Sequence, residues 1–192
     1  MRTLVISDIH SNSDALKAVI SDAVVFDRVW CLGDVVGYGP DPNECIQILK
    51  SLPRLVCILG NHDAAVMGFI ELSAFNNEAS AAIMIQERML SQESREFLEL
   101  LEVQRVEDGI TLAHGSPRNP IWEYVMNART AKENFSAFDT QVCLIGHSHI
   151  PVIFIDDHSK HPGILLPSSG DMWRSEKRFL LNPGSVGQPR DR

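Results

Sequence analysis

Two features that would indicate a membrane or nucleic-acid protein are missing from this 192-residue chain. It has no hydrophobic run long enough to cross a bilayer, so we expect no membrane-spanning helix. It has no cluster of Lys and Arg, and its formal net charge is −8. Because phosphate backbones are bound by clustered cations, we expect no nonspecific nucleic-acid surface. A local positive site created by metal ions remains compatible with this composition.

Paired cysteines and a leader segment are also missing. None of the four cysteines forms a C-x-x-C pair, and three of them fall in predicted buried strands. This pattern is typical of reduced core cysteines and predicts a cytoplasmic protein. The first apolar strand follows Met1 and Arg2 directly, so we expect no signal peptide. No Gly-x-Ser-x-Gly motif is present, which argues against a serine nucleophile.

What the sequence does contain begins within its first ten residues. The apolar run Leu4, Val5 and Ile6 predicts a short buried strand, and Asp8 and His10 follow it. In an extended chain, side chains two residues apart point to the same face. A carboxylate and an imidazole placed in this way are candidate ligands for one metal ion. Alone, such a triplet more often belongs to a turn with a solvated histidine.

The same pattern, an apolar run that closes on Gly, Asp or His, occurs four more times. The closing residues are Gly33 and Asp34; Gly60, Asn61, His62 and Asp63; His114 and Gly115; and Gly146, His147, Ser148 and His149. Because the carboxyl ends of strands in an open α/β sheet converge on one crevice, we expect these side chains to meet. The two-residue spacing of His147 and His149, roughly 6.6 Å in extended chain, suits two metals roughly 3.5–4 Å apart.

The predicted elements give a single α/β domain over residues 1–192. Strand–helix–strand units come first, and residues 64–101 are mostly helical, with an interruption at 91–94 after which a helix restarts. Asp108 and Gly109 predict a hairpin turn between two strands. From residue 151 onward, three short strands predict an antiparallel meander.

At these motifs the sequence resembles the calcineurin-like metallophosphoesterases, and within them a bacterial and archaeal phosphodiesterase branch. The family pattern is D-x-H, G-D, G-N-H-[DE], an isolated H and G-H-x-H, and the chain has all five in this order. The resemblance covers residues 4 to about 190 and includes the runs at 37–40, 114–118 and 182–185. It implies a two-sheet β-sandwich flanked by helices. Relatives usually continue with further strands, so a shortened form with an exposed sheet edge is expected.

The resemblance also implies roles for individual residues. One divalent ion would be held by Asp8, His10, Asp34 and His149, and a second by Asp34 as a bridge with Asn61, His114 and His147. His62 would be the general acid, and Asn61, Tyr38 and Arg118 are candidate substrate-binding residues. For Tyr38 a packing role, and for Arg118 a solvated loop charge, are the alternatives. The ligand types suit Mn, Fe, Zn, Co or Ni and do not choose among them.

The predicted activity is hydrolysis of a small or nucleotide-like phosphodiester. Water shared by two metals loses a proton near neutral pH and becomes the nucleophile, and His62 can protonate the leaving group. Protein phosphatases of this superfamily carry Asp-Arg-Gly where this chain has Gly37, Tyr38 and Gly39. The substitution removes an acidic partner of His62, for which Asp63 is a candidate replacement. It also removes a phosphate-binding arginine, unless Arg118 replaces it.

Two other functions stay open at this point. One is a pyrophosphohydrolase of the diadenosine tetraphosphate kind, with the same metals and a different pocket. The other is a non-catalytic scaffold, since one retromer subunit keeps this fold without full catalytic ligation. Every ligand position is intact here, which argues against the scaffold. The sequence leaves the oligomeric state open.

Overall fold

The computed structural model describes residues 1–23, 25–158 and 162–190. Its strands are β1 (Thr3–Ile6), β2 (Arg28–Cys31), β3 (Val56–Cys57), β4 (Gln104–Glu107), β5 (Ile110–Ala113), β6 (Val142–Leu144), β7 (Val152–Ile155), β8 (Gly163–Leu165) and β9 (Phe179–Asn182). Its helices are α1 (Ser13–Asp22), α2 (Pro42–Ser51), α3 (Asn61–Val66), α4 (Asn77–Met89), α5 (Gln92–Glu99) and α6 (Ala128–Asn134), with a 3-10 turn at Leu72–Ala74.

The first sheet contains the parallel strands β1, β2 and β3 in that order. Helices α1 and α2 connect them, as the strand–helix–strand pattern predicts. Helix α1 begins where it does because the Asn12 side chain accepts a hydrogen bond from the Ala15 backbone N–H at 3.0 Å. This cap fixes the direction in which the chain leaves the residues that follow β1.

The second sheet has six strands in the order β4-β5-β6-β9-β7-β8. The predicted hairpin joins β4 and β5, and both turn residues, Asp108 and Gly109, have positive φ, at 48° and 75°. The predicted meander is wrong, because β9 inserts between β6 and β7 and lies parallel to β6. The physical reason is burial: the β9 side chain of Leu180 is fully buried, which a central position provides and an edge position does not.

The two sheets face each other and are covered by helices on their outer sides. Between the sheets lies a small core that includes Trp30 from β2 and Leu112 and Leu144 from β5 and β6. A larger core separates the first sheet from α1, α2, α4 and α5, and a third lies beneath α6. This arrangement is the expected two-sheet sandwich flanked by helices, and the predicted α/β class is confirmed.

Two stretches differ from their predicted elements. Strand β3 is two residues long instead of five, and Leu59 beyond it donates instead to the Glu102 carbonyl at 2.9 Å. The predicted helical region at 64–101 has the predicted interruption, where the Ser91 side chain caps α5, and a further break that was not predicted, where the Asn76 side chain caps α4. In the described part of the chain, the helices fall short of the length and apolarity that a bilayer crossing requires.

Candidate metal centre

The residues that close β1, β2, β5 and β6 meet the first turn of α3 at one end of the two sheets. Eight polar side chains are buried there, each at most 4% exposed: Asp8, His10, Asp34, Asn61, His62, His114, His147 and His149. The structure therefore brings together all the residues that the five sequence motifs indicated as ligands or general acid. Their convergence follows from the shared direction of the strands that precede them.

The backbone at these positions differs from the extended chain that the sequence argument used. Asp8, His10, Asp34, His147 and His149 all have positive φ, between 48° and 65°. The assumption that two-residue spacings act through extended strands is therefore wrong. Each strand ends before its motif, and left-handed turns direct the side chains inward. Positive φ is unfavourable for residues other than glycine, and such residues concentrate at functional sites.

A segment from the far end of the chain holds the turn at Asp8 in place. The backbone N–H groups of Val186 and Gly187 donate to the carbonyls of Ser7 and Asp8, each at 3.0 Å. Ser185 Oγ donates to the Asp8 carbonyl at 2.7 Å. Gly187 permits this approach, because a Cβ there would overlap the Ile9 carbonyl oxygen. The run at 182–185 is part of the resemblance described above. It leads into residues 185–187, which form a brace for the first motif.

The buried side chains form two groups joined by one carboxylate. Asp8, His10 and His149 offer ligand atoms to one point, and Asp34, His114 and His147 to another. Asp34 Oδ2 lies 3.7 Å from His10 Nε2 and 3.4 Å from His114 Nε2, between the groups. The His62 imidazole also lies within reach of His10 and Asp34.

In the first group, two imidazole lone pairs face each other. His10 Nδ1 lies 3.1 Å from the Val36 carbonyl, and His149 Nδ1 lies 2.6 Å from the Gln188 carbonyl. Since a carbonyl only accepts, each Nδ1 carries the proton and each Nε2 of the neutral ring is a lone pair. The two Nε2 atoms are 3.1 Å apart. A cation between them would remove this repulsion.

The second group attracts positive charge in a different way. His114 Nδ1 lies 2.9 Å from the Leu32 carbonyl, which directs Nε2 into the site. That Nε2 lies 3.0 Å from Asn61 Oδ1 and 3.2 Å from His147 Nδ1. Burial lowers the pKa of His114, but the Asp34 carboxylate outweighs it and raises the pKa to about 10. This position therefore attracts positive charge.

The chemistry of the remaining donors also fits divalent metal ions. Within the described part of the chain, Asp8 Oδ1 has no hydrogen-bond partner, although it is buried. The other oxygen, Oδ2, accepts from Ser7 Oγ at 2.6 Å and from the His147 backbone N–H at 3.1 Å. Burial lowers the pKa of His10 and His147 to about 3, so both rings are in the neutral form that binds metals.

His62 lies at the side of this cluster on α3. Its backbone N–H donates to Asp34 Oδ1 at 2.8 Å, and its ring contacts the rings of Tyr38 and Phe75. The ring packs directly over Gly37, where a Cβ would overlap Nδ1. Asp63 does not take the place of an acidic partner, because its two oxygens accept from the Val36 and Gly60 backbone N–H groups.

A cavity of ≈ 210 Å³ opens beside the two groups. Asp34, Asn61, His62, His147 and His149 line its floor. Its sides include the predicted Tyr38, together with Phe75, Trp122, Tyr124 and Arg190, which the sequence analysis did not identify. Trp122 and Tyr124 are two residues apart, and this spacing could have indicated that their rings lie on the same side of the chain.

The family model described as the calcineurin-like phosphoesterase superfamily domain matches residues 1–192. The chain belongs to the calcineurin-like phosphoesterase superfamily. Members of this family are phosphoesterases and generally bind divalent metals, so a hydrolase role is supported.

Individual relatives are similar over different lengths. An uncharacterized protein of Methanocaldococcus jannaschii is 38% identical over 97% of this chain and 76% of its own length. A metallophosphoesterase from Sphaerobacter thermophilus is 44% identical, with a TM-score of 0.88, over 100% of this chain and 79% of its own. A symmetrical bis(5'-nucleosyl)-tetraphosphatase of Pseudomonas fluorescens is 43% identical, but over only 33% of this chain and 24% of that enzyme.

Arg118 is the one predicted site residue that the structure places away from the cluster and its cavity. Its guanidinium makes ion pairs with Glu123 and Glu133, on the outer side of the loop that carries Trp122 and Tyr124. The arginine that lines the cavity is Arg190. Ion pairs of this kind depend on tertiary placement, so the sequence did not distinguish the two arginines.

Gln86 is a second residue that the sequence analysis missed. It is buried on α4, and its Oε1 accepts from the Gly37 N–H at 2.6 Å and from Ser11 Oγ at 3.2 Å. Its Nε2 donates to the Gly39 carbonyl at 2.5 Å. The Gln86 side chain therefore fixes the turn at residues 37–39. This turn carries Tyr38, and its Gly37 contacts the His62 ring.

The first prediction concerns this clamp. Gln86→Leu leaves the buried Gly37 N–H and the buried Ser11 hydroxyl without this partner, at a cost of about 1–3 kcal/mol each, and also removes the hydrogen bond to the part-buried Gly39 carbonyl. We expect urea unfolding to show a loss of a few kcal/mol. Gln92→Leu, on the exposed start of α5, is the matched control and should change stability by less than about 0.5 kcal/mol. Equal stability of the two variants would contradict the clamp.

Proposed function

We propose that the chain is a dinuclear, metal-dependent phosphodiesterase for small substrates. The observation that carries this proposal is the Asp34 carboxylate, which lies between two groups of ligand atoms. The proposed ligands of one ion are Asp8, His10, Asp34 and His149, and those of the other are Asp34, Asn61, His114 and His147. Divalent ions at these positions supply Lewis acidity and a nucleophile at neutral pH.

The chain's own residues would orient the ligands and receive the substrate. The carbonyls of Leu32, Val36 and Gln188 hold three imidazoles with their Nε2 atoms toward the cluster. Asp34 Oδ1 is held by the His62 N–H, which leaves Oδ2 for the shared position. Arg190, at the cavity wall, can pair with a phosphate oxygen.

His62 is proposed to hold a proton for the leaving oxygen. Its ring lines the cavity next to the cluster, and its contacts with Tyr38, Phe75 and Gly37 fix the plane of the ring. Asn61, the residue before it, directs its amide oxygen to His114 at 3.0 Å. Neighbouring residues at the start of α3 therefore serve different purposes in this proposal.

The preference for diesters follows from the charge that the site can offer. A monoester dianion carries more charge than a diester and needs more cationic groups. Positions 37–39 have no arginine, and the Arg118 guanidinium is engaged by two carboxylates. Arg190 is exposed, so solvent screens its charge.

Dinucleoside polyphosphates are a second candidate substrate class. The partial likeness to a symmetrical bis(5'-nucleosyl)-tetraphosphatase favours it, although that likeness covers a third of this chain. Such an activity would use the same proposed ligands with a different leaving group. Diadenosine tetraphosphate therefore belongs in the substrate panel below.

The second prediction tests the reaction class. On one Mn²⁺-loaded preparation at neutral to mildly alkaline pH, we expect a higher kcat/KM for bis(p-nitrophenyl) phosphate than for p-nitrophenyl phosphate. Faster turnover of diadenosine tetraphosphate than of any simple diester would favour the second candidate. A monoester preference that disappears in Arg190→Ala would overturn the charge argument, and no hydrolysis of any ester would overturn the function.

The third prediction tests the bridge. Asp34→Asn should lower the metal content of the purified protein at both positions, whereas His10→Ala should reduce mainly one. Elemental analysis by mass spectrometry gives the ions per chain. Asp14→Asn, an exposed carboxylate on α1, is the control. Two retained ions and full activity in Asp34→Asn would show that the carboxylate is not shared.

The fourth prediction tests the acid. His62→Ala should keep the metal content and lower kcat by roughly 10²–10⁴-fold for substrates with poor leaving groups. The loss should be smaller for nitrophenyl esters, whose leaving groups need little protonation. His158→Ala, at an exposed histidine, should behave as wild type. An equal loss for good and poor leaving groups would remove the proposed role, and a loss of metal would make His62 a ligand.

A further inference from the structure

Aromatic side chains are concentrated around the cavity to a degree that its hydrolytic role does not require. The chain has only two tyrosines, and both Tyr38 and Tyr124 line this cavity. Phe75 and Trp122 line it as well. Metal binding and proton transfer are already accounted for by other residues, so these rings need an explanation of their own.

The rings line the cavity in two places, one beside His62 and one beside His147. Phe75 meets His62 on one side and Trp122 on the other, each with ring centroids 5.1 Å apart. Tyr124 stacks on His147, with centroids 3.9 Å apart and an interplanar angle of 25°. We call Phe75, Trp122 and Tyr124 the aromatic wall. Phe75 contacts the proposed proton donor, and Tyr124 contacts a proposed metal ligand.

Core packing explains only one member of the wall. Phe75 packs against the large core beneath the first sheet. Trp122 and Tyr124 belong to none of the three core clusters found among the described residues. The Tyr124 side chain is 45% exposed, and Trp122 is half-buried. Their free faces are therefore available to a ligand in the cavity.

The loop that presents these two rings is held from behind. Glu123 lies between them in sequence and accepts hydrogen bonds from Ser116 Oγ and Asn134 Nδ2, both at 2.7 Å. Its ion pair with Arg118 completes the anchor. This contact gives Arg118 a structural purpose behind the wall. A fixed platform stacks a flat ligand at a smaller entropic cost than a mobile loop would.

We propose that the aromatic wall is a nucleobase subsite, and that the substrates of this chain are nucleotide phosphodiesters. This inference rests on the proposed phosphodiesterase function. The cavity volume of ≈ 210 Å³ is below the roughly 300–1,000 Å³ typical of ligand pockets, so the cavity would hold only part of a nucleotide diester and the rest would extend out of it. Stacking accepts every base, because every base has a π-face, so little base preference is expected.

The test compares two phosphates that differ only in the base. Calorimetric titration of the Mn²⁺-loaded protein with AMP and with ribose 5-phosphate measures what the base contributes. Stacking on aromatic side chains predicts that AMP binds at least about fivefold more tightly. Trp122→Leu, which keeps an apolar side chain without a π-face, should abolish this difference and leave ribose 5-phosphate binding unchanged. Trp122→Phe should retain most of it.

A tryptophan outside the cavity provides the control. Trp173→Ala, at a tryptophan that packs on Phe179 in another part of the molecule, should leave both affinities unchanged. Equal affinity of the wild type for both phosphates would overturn the subsite, and so would an equal loss of both in Trp122→Leu. If the same preparation still cleaves bis(p-nitrophenyl) phosphate, the phosphodiesterase proposal survives that result. A preference for AMP without any ester hydrolysis would overturn the activity instead.

Discussion

Burial of lone pairs that face one another is the constraint on which this structure depends. Three imidazoles donate through Nδ1 to backbone carbonyls, so their Nε2 atoms point into a space that also contains two carboxylates. The Nε2 lone pairs of two of them, His10 and His149, face each other at 3.1 Å. Such an arrangement is costly in a protein interior unless positive charge enters it. The sandwich, the turns and the brace at residues 185–187 together hold these side chains in place. The fold is therefore a rigid support for a group of lone pairs and carboxylates that favours a cation.

Unfavourable backbone conformation at the clustered residues is a second constraint on this structure. Five of the clustered residues have positive φ, and each follows a strand or a short turn that fixes its position. Hydrogen bonds between the loops, such as Asp8 N–H to the Gly33 carbonyl and His10 N–H to the Asp34 carbonyl, compensate for part of this strain. The turns therefore stabilise one another, and no single motif would keep its conformation as an isolated peptide.

The sequence predicted which residues form the cluster, but it did not predict the backbone turns that bring them together. Asp8, Asp34 and the histidines were identifiable because polar residues recur after apolar strands, and strand direction alone makes such residues converge. Their left-handed turns were not identifiable, since φ is set by contacts between loops. The position of β9 and the ion pairs of Arg118 were missed for the same reason: both depend on partners distant in sequence. Trp122 lies in an irregular loop without a motif, so only its placement beside the cavity reveals a role.

The brace at residues 185–187 has a consequence for biosynthesis. Asp8 leaves the ribosome well before Val186 and Gly187, whose N–H groups close its turn. His149 is oriented by the carbonyl of Gln188, which emerges at the same late stage. A nascent chain shorter than this therefore carries exposed histidines and carboxylates without their final geometry. During translation, the candidate metal centre is therefore completed only after the residues between Asp8 and Gly187 have been made.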